Sequence, residues 1–387
     1  MGLIEDIVAQ ESTFVGWRRA MHENPGIGFQ ETFAAELVAR SLRDFGFDEV
    51  HAGIGGTGVV GVLRGKRESN RAIGLRADMD ALPIQEETGK PYASKVPGVM
   101  HACGHDGHTA TLLAAAWHLA RTRDFAGTVH FIFQPAEEGL GGALAMIRDG
   151  LLERFPCDRL YAYHNFPGME QGHIYSSTGR AMAGCSFFTI RVQGRGGHAA
   201  LPQTTVDAAQ IAANLVVTAQ SVVARNLDPL ETGILSFTDV YAGTNSHNVI
   251  PDKATLKGCL RYFDKAVGAL MKRRLDEVAQ GIAATYGGAA CVEYDDNFVP
   301  LVNDAEATGV ALAVAAQVVG PERVHADAPP LTGSEDFAFM TERVPGSYVL
   351  VGAGPGAMPH NPGYDFNDAI LTVAASYFCR LVETELA

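Results

Sequence analysis

The sequence predicts an α/β protein in which a mostly parallel sheet is flanked by helices and interrupted by a second, smaller unit. Three observations carry this. Strand-like and helix-like segments alternate along most of the chain, the pattern of a parallel sheet covered by helices. At 387 residues the chain exceeds what one ordinary core serves, so two domains are expected. Between residues 185 and 294 the rhythm changes to β-α-β-β-α-β, a self-contained split unit.

In order, Leu3 to Met21 reads as a surface helix and Glu31 to Phe45 as a second one, closed by Gly46. The turn-rich segment His22-Glu-Asn-Pro-Gly-Ile-Gly-Phe29 joins them. Gly53-Ile-Gly-Gly-Thr-Gly58 has the G-x-G-x-x-G spacing, with Asp78 at 78 − 58 = 20 residues beyond it. A dinucleotide fingerprint should follow a strand and open a helix. These glycines instead precede the strand-like Val59–Leu63, so the context argues against nucleotide binding. Strands are expected at Ala72–Ala77, Thr128–Phe133 and Arg159–Tyr163, with helices at Thr109–Ala120 and about Gly141–Leu152. In the changed region, strands are expected at Phe187–Val192, Ile234–Tyr241, Ala254–Phe263 and Ala290–Tyr294. Helices are expected there at Val206–Arg225 and Ala266–Tyr286. The α/β rhythm resumes with a helix at Asp304–Val319, a strand at Ser347–Val351 and a last helix, Asp368–Glu385. The larger domain is therefore read as discontinuous, 1–184 plus 295–387, with 185–294 inserted.

Composition narrows the function classes. With 44 acids against 30 bases the formal charge is −14, which argues against a nucleic-acid partner. No run approaches the roughly 18 continuous apolar residues of a membrane span, so no membrane role is expected. Six cysteines without a Cys-x-x-Cys pair fit reduced thiols. The beginning Met-Gly-Leu-Ile-Glu-Asp-Ile-Val has no basic stretch ahead of an apolar core. A cytoplasmic protein is predicted.

Chemistry concentrates in five segments. Met100-His-Ala-Cys-Gly-His-Asp-Gly-His108 packs three His, one Cys and one Asp into nine residues, just ahead of an apolar helix. A thiolate at such a helix start is favoured, and imidazoles can converge from a short turn. Gln134-Pro-Ala-Glu-Glu-Gly139 follows a strand, and its adjacent carboxylates can divide labour between holding a metal and acting as a base. His164 ends the strand Arg159–Tyr163, His360 stands between two prolines in Met358–Asn367, and Asp78 and Asp80 alternate in Arg76-Ala-Asp-Met-Asp80. Each alone has an ordinary structural reading. Together they supply Cys103, His105, Glu138, His164 and His360. This mixed donor set suits Zn²⁺, with Mn²⁺, Co²⁺ or Ni²⁺ as alternatives. Five donors exceed one tetrahedral site, so two divalent ions sharing a bridging ligand are expected.

These segments, with His22–Glu31, Gly194–Pro202 and Gly333–Ala338, resemble the M20 metallopeptidase/amidohydrolase family in order and along nearly the whole chain. The branch is that of hippurate hydrolases, N-acyl-amino-acid amidohydrolases and auxin-conjugate hydrolases. The resemblance implies a two-metal, aminopeptidase-like catalytic domain with an inserted lid that also dimerises. It implies Cys103, His105, Glu138, His164 and His360 as metal ligands and Glu137 as general base. Typical members have a His-x-Asp segment where this chain has Asp78-Met-Asp80; Asp80, and with it Asp106, is then expected to orient a ligand. In the lid, His198 is implied to stabilise the oxyanion from the partner subunit, with Asn245 and Asn248 as candidates to assist and Arg261 as the substrate-carboxylate site. The implied function is hydrolysis of the amide of N-acyl-L-amino acids by a homodimer or higher homo-oligomer. A dipeptidase or aminoacylase of the same family, and a nonenzymatic binding protein on a retired hydrolase fold, are the alternatives.

Overall fold

The computed structural model describes residues 2–387. It contains two compact units: Met1–Ala181 with Val302–Pro330 and Asp336–Ala387, and Met182–Leu301 with Leu331–Glu335.

An eight-stranded sheet runs through the larger unit. Its order is Glu49–Ile54, Gly58–Arg64, Ala126–Gln134, Arg67–Asp78, Arg159–Phe166, Gly346–Gly352, Ile174–Tyr175, Val324–His325. The four strands from Ala126–Gln134 to Gly346–Gly352 are parallel to their neighbours among themselves. The two strands before them pair antiparallel. Parallel strands bring all their C-terminal ends to one edge, and ligand sites of open α/β sheets form there. Asp78 lies opposite Gln134 at that edge, and Arg76 opposite Ala162, two residues before His164.

The helix His105–Thr122 is the centre of this unit. Fourteen of its eighteen residues are buried, which explains why its sequence lacks the polar outer face of an amphipathic helix and why the polar groups of its first turns are buried too. It packs on the strands Arg67–Asp78, Ala126–Gln134 and Arg159–Phe166, and against the helices Glu11–Glu23, Thr32–Asp44 and Leu371–Glu385. The sequence placed its polar cluster on a turn ahead of Thr109. In fact the helix begins at His105, so His105 and His108 share one face of its first turn, with ring centroids 5.4 Å apart. Gly104, at φ 98°, makes the entry; a Cβ there would collide with Tyr364 Oη and Asn165 Oδ1.

The smaller unit has a four-stranded antiparallel sheet in the order Gly233–Ala242, Lys253–Tyr262, Gly184–Gln193, Ala289–Phe298. Phe188, Ile190 and Val192 alternate into its core. The helices Ala208–Ala219 and Lys265–Thr285 pack on that sheet, N-capped by Asp207 and Asp264. The single helix expected over Val206–Arg225 is two, Ala208–Ala219 and Ser221–Asn226, parted at Gln220. The unit also reaches beyond 294, because Ala289–Phe298 keeps pairing with Gly184–Gln193, and it recruits Leu331, whose carbonyl accepts from Ala183 N–H. Among the described residues no helix is long and apolar enough to cross a membrane.

A buried carboxylate ties the last helix of the larger unit to its sheet. Glu385 is 3% exposed and accepts from Tyr161 Oη (2.6 Å), Arg159 Nη1 (2.6 Å) and Arg71 Nη2 (2.8 Å). Burial pushes its pKa up, but the bonds from Tyr161 and Arg159 outweigh burial and hold it below the ordinary carboxylate range. A depressed folded-state pKa contributes stability above the ordinary value and loses it as pH falls through the folded value. Glu385→Gln should therefore cost about 1–3 kcal/mol at pH 7 in urea unfolding. The gap to the parent chain should close as the pH is lowered below the carboxylate range; a gap independent of pH would contradict this.

Candidate metal centre

Asp80 lies just past the strand Arg67–Asp78 and is 2% exposed. Its Oδ1 accepts from His105 Nδ1 (3.0 Å) and its Oδ2 from the backbone N–H of Glu138 (2.9 Å). In the neutral ring, the form that binds a metal, a carboxylate on Nδ1 fixes the tautomer and leaves the lone pair of His105 on Nε2. That Nε2 is buried and has no hydrogen-bond partner. His164 is prepared the same way: its Nδ1 donates to the Asn165 carbonyl (2.6 Å), and its Nε2 lies 3.4 Å from Cys103 Sγ. His360 arrives on a loop with φ 66°, pinned by its own N–H to the Ala102 carbonyl (2.7 Å), and its Nε2 stands 3.1 Å from Glu138 Oε1.

The five expected donors are thus brought together. Cys103, His105 and His164 form one trio with donor atoms within 4.8 Å of one another, and Cys103, Glu138 and His360 form another. His105, Glu137 and Glu138 make a third grouping, which puts the Glu137 carboxylate beside both. Cys103, His105 and Glu138 each belong to two of the three, and Cys103 is the one common to the two trios built from the expected donors alone. A buried orphan imidazole nitrogen, two imidazoles whose tautomers point lone pairs inward, and a mixed N, O and S donor set fit a divalent transition metal or a pair of them.

The surroundings are strongly charged. Asp78, singled out in the sequence beside Asp80 but given no role, accepts from Arg76 Nη1 (2.7 Å) and from His108 Nδ1 (2.6 Å). Burial would raise its pKa, yet the charges of His105, Arg76 and His108 outweigh burial and hold it well below the carboxylate range. Burial also disfavours the charged ring of His105, but Asp78, Cys103 and Asp80 raise its pKa well above the ordinary value. Burial and the charge of His108 keep His164 neutral, its pKa far below that of free imidazole. Bonds to Cys103 and Glu138 push His360 up to about 10. His108 is scaffold: its Nε2 lies 2.8 Å from Asn165 Oδ1, and Asn165 Nδ2 in turn donates to Tyr364 Oη (2.7 Å).

Asp106 departs from its expected role. One residue along a helix turns the side chain about 100° away, and Asp106 accepts from His22 Nδ1 (2.8 Å) and pairs with Arg18 (3.6 Å) instead of reaching a candidate ligand. Buried Arg18 also holds Asp365 and Asp368, so it ties the helix start to the loop that follows His360. Nothing in the residue types of Arg18, Tyr364 or Asn165 marked them in the sequence.

The smaller unit carries the other expected residues. His198 is exposed on a two-residue strand, Gly197–His198, paired with Val249–Ile250 in the register Val249↔His198. Its Nδ1 accepts from Ala200 N–H (3.0 Å), which makes Nε2–H a donor. Asn248 is brought beside it, with its carbonyl accepting from Ala199 N–H (2.9 Å). Asn245 stands apart on the preceding loop at φ 57°. Arg261, on the strand Lys253–Tyr262, donates from Nη1 to the Thr332 carbonyl (2.8 Å) and Ser334 Oγ (3.1 Å).

Comparison with known proteins places the whole chain. The chain is 43% identical over 383 residues to a hippurate hydrolase of Campylobacter jejuni, with 98% of each chain covered. It is 38% identical over 374 residues to an N-acetylcysteine deacetylase of Bacillus subtilis, covering 96% of this chain and 97% of the relative. The crystal structure of a dinuclear metal-binding peptidase of the M20 family from Bacillus subtilis superposes with a TM-score of 0.84, at 35% identity and 98% coverage of both chains. The model of peptidase family M20/M25/M40 matches residues 74–384. By sequence and fold alike, this chain belongs to peptidase family M20/M25/M40 and is a hydrolytic enzyme acting on amides.

Proposed function

We propose that the chain hydrolyses the amide of N-acyl-L-amino acids, of the hippurate-like, N-acetyl or aryl-acyl kind, using two divalent ions and Glu137 as general base. The observation that carries this is the placement of Cys103 in two donor trios with the Glu137 carboxylate beside them. It supports Cys103 as the shared ligand, with His105 and His164 completing one set and Glu138 and His360 the other. The names of the relatives, a hippurate hydrolase and an N-acetylcysteine deacetylase, support the substrate class.

When bound, such ions supply two things: water acidified towards neutrality and polarisation of the scissile carbonyl. The chain's own residues do the rest. Glu137, 7% exposed, takes a proton from the attacking water and returns it to the leaving nitrogen. His198, with Nε2–H as its donor, stabilises the oxyanion, supplied by a second copy in a homodimer, and Asn248 assists from just ahead of the paired strand Val249–Ile250. Arg261 holds the free carboxylate of the amino acid, a task suited to a guanidinium.

Glu137→Ala should lower kcat/KM by about 10²–10⁴-fold while elemental analysis finds the metal content intact; retained turnover would remove Glu137 from this role. Asp80→Ala should weaken metal binding by about 10–100-fold, because two candidate ligands lose the carboxylate that aims them. Mixing Glu137→Ala with His198→Ala subunits should restore roughly a quarter of parental activity, since half the dimers are hybrids with one intact site. No recovery with subunit exchange demonstrated would place His198 in its own subunit's site. A panel of N-benzoyl, N-acetyl, indole-acyl and dipeptide substrates, run with several metals returned to the apo-protein, separates an acyl-amino-acid hydrolase from a dipeptidase or aminoacylase.

A further inference from the structure

Among the described residues five non-glycines have a left-handed backbone: Phe29, Arg123, Ala136, Asn245 and His360. Such conformations are strained and persist only where the surroundings impose them. Two of the five, Phe29 (φ 63°) and Ala136 (φ 53°), donate their N–H to one and the same atom, Oε1 of Glu31, at 2.9 and 2.8 Å. Glu31 is 1% exposed, and its other oxygen accepts from the hydroxyl of Thr57. Thr57 belongs to the glycine-rich hairpin Gly53–Gly58, whose spacing imitates a nucleotide site.

Ala136 stands between the strand Ala126–Gln134 and the pair Glu137–Glu138. The N–H of Ala136 goes to Glu31, and the N–H of Glu138 goes to Asp80. Buried carboxylates therefore hold the backbone on either side of Glu137. Close packing adds to the grip: a Cβ on Gly28 would meet the Ala136 Cβ at 3.0 Å and Leu140 Cδ1 at 2.7 Å. We propose that Glu31 is a positioning residue whose carboxylate imposes the left-handed turn at Ala136 and so sets where Glu137 and Glu138 point. This rests on the reading of Glu137 as base and Glu138 as ligand. It assigns the Gly53–Gly58 hairpin the task of holding Glu31 in place through Thr57.

The test measures Zn²⁺ affinity of the apo-protein against a chromophoric chelator, together with hippurate hydrolysis and the far-UV spectrum. Glu31→Ala should bind Zn²⁺ about 10–100-fold more weakly and lose about 10²-fold in kcat, with KM little changed. Glu31→Gln keeps an acceptor oxygen for both N–H groups and should stay within about tenfold of the parent. Ala136→Gly added to Glu31→Ala should recover about tenfold of the lost kcat, because glycine takes positive φ without strain. A merely structural Glu31 would not respond to that second change. If Glu31→Ala does not fold, Glu31→Asp, which withdraws the carboxylate by one methylene, should still lower Zn²⁺ affinity. Parental Zn²⁺ affinity in a folded Glu31→Ala or Glu31→Asp chain would overturn the proposal, as would a double variant no better than Glu31→Ala. Glu138→Ala run in parallel reports separately on the ligand reading: parental Zn²⁺ stoichiometry there would withdraw that reading and leave the Glu31 result to be judged alone.

Discussion

The centre depends on one carboxylate gripping two things at once. Asp80 accepts from an imidazole on the helix His105–Thr122 and from the backbone N–H of Glu138, which follows the strand Ala126–Gln134. Those elements are consecutive in the chain, and the parallel sheet returns both to the same edge. The bond to Nδ1 settles which nitrogen of His105 faces inward, and the bond to Glu138 N–H settles where that side chain starts. Charge-assisted hydrogen bonds to buried carboxylates are about twice as strong as neutral ones. A site built from them is held by its partners before anything binds.

Two buried arginines extend that grip. Arg76, 1% exposed, donates to Gln134, Asp78 and Asp336, and the backbone N–H of Asp336 reaches Glu137 Oε1 at 3.3 Å. Arg18, fully buried, joins Asp106 on the central helix to Asp365 and Asp368 beyond His360. Buried ion pairs add little net stability over apolar packing, yet breaking one leaves an uncompensated charge at a cost of about 3–5 kcal/mol. Their value here is geometric. Each arginine fixes two or three chain segments whose separation in sequence reaches several hundred residues, and each sits one layer away from the candidate ligands.

Much of this was legible in the sequence, for identifiable reasons. Alternating periodicity located the strands and helices that became the sheet, because apolar patterning is set by burial. The candidate donors were legible as well: Cys103, His105, Glu138, His164 and His360 are chemically conspicuous, and the fold brings them together in two trios. What escaped was orientation. The helix start at His105 escaped because Gly104 and three histidines resemble a turn more than a helix. Asp106 was misjudged because adjacency in sequence is divergence on a helix. Glu31, Arg18 and Asn165 escaped because an ordinary Glu, Arg or Asn acquires its role only from partners that the fold delivers. The glycine-rich hairpin carried a signal of the wrong kind. Its spacing matches a phosphate cradle, while its position packs it against the turn that leads to Glu137.

The two donor trios differ in a way that bears on the proposed chemistry. His105 is 1% exposed at its side chain, and its tautomer is locked by a carboxylate. His360 is 53% exposed and rides on a loop, held by its backbone N–H to Ala102 and by its contacts with Cys103 and Glu138. The trio of Cys103, His105 and His164 is therefore pre-organised from within the core, and the trio of Cys103, Glu138 and His360 faces solvent. A substrate carbonyl must arrive from the solvent side, where Glu138 and His360 stand, and the base must reach it from a neighbouring position. On the proposed reading Glu137 is that base: its carboxylate lies within 4.8 Å of donor atoms of both Glu138 and His105, and left-handed Ala136 leads the chain into the pair. In this chain buried Glu31 and Asp80 anchor the N–H groups of Ala136 and Glu138, and the proposed division of labour between Glu137 and Glu138 rests on that anchoring.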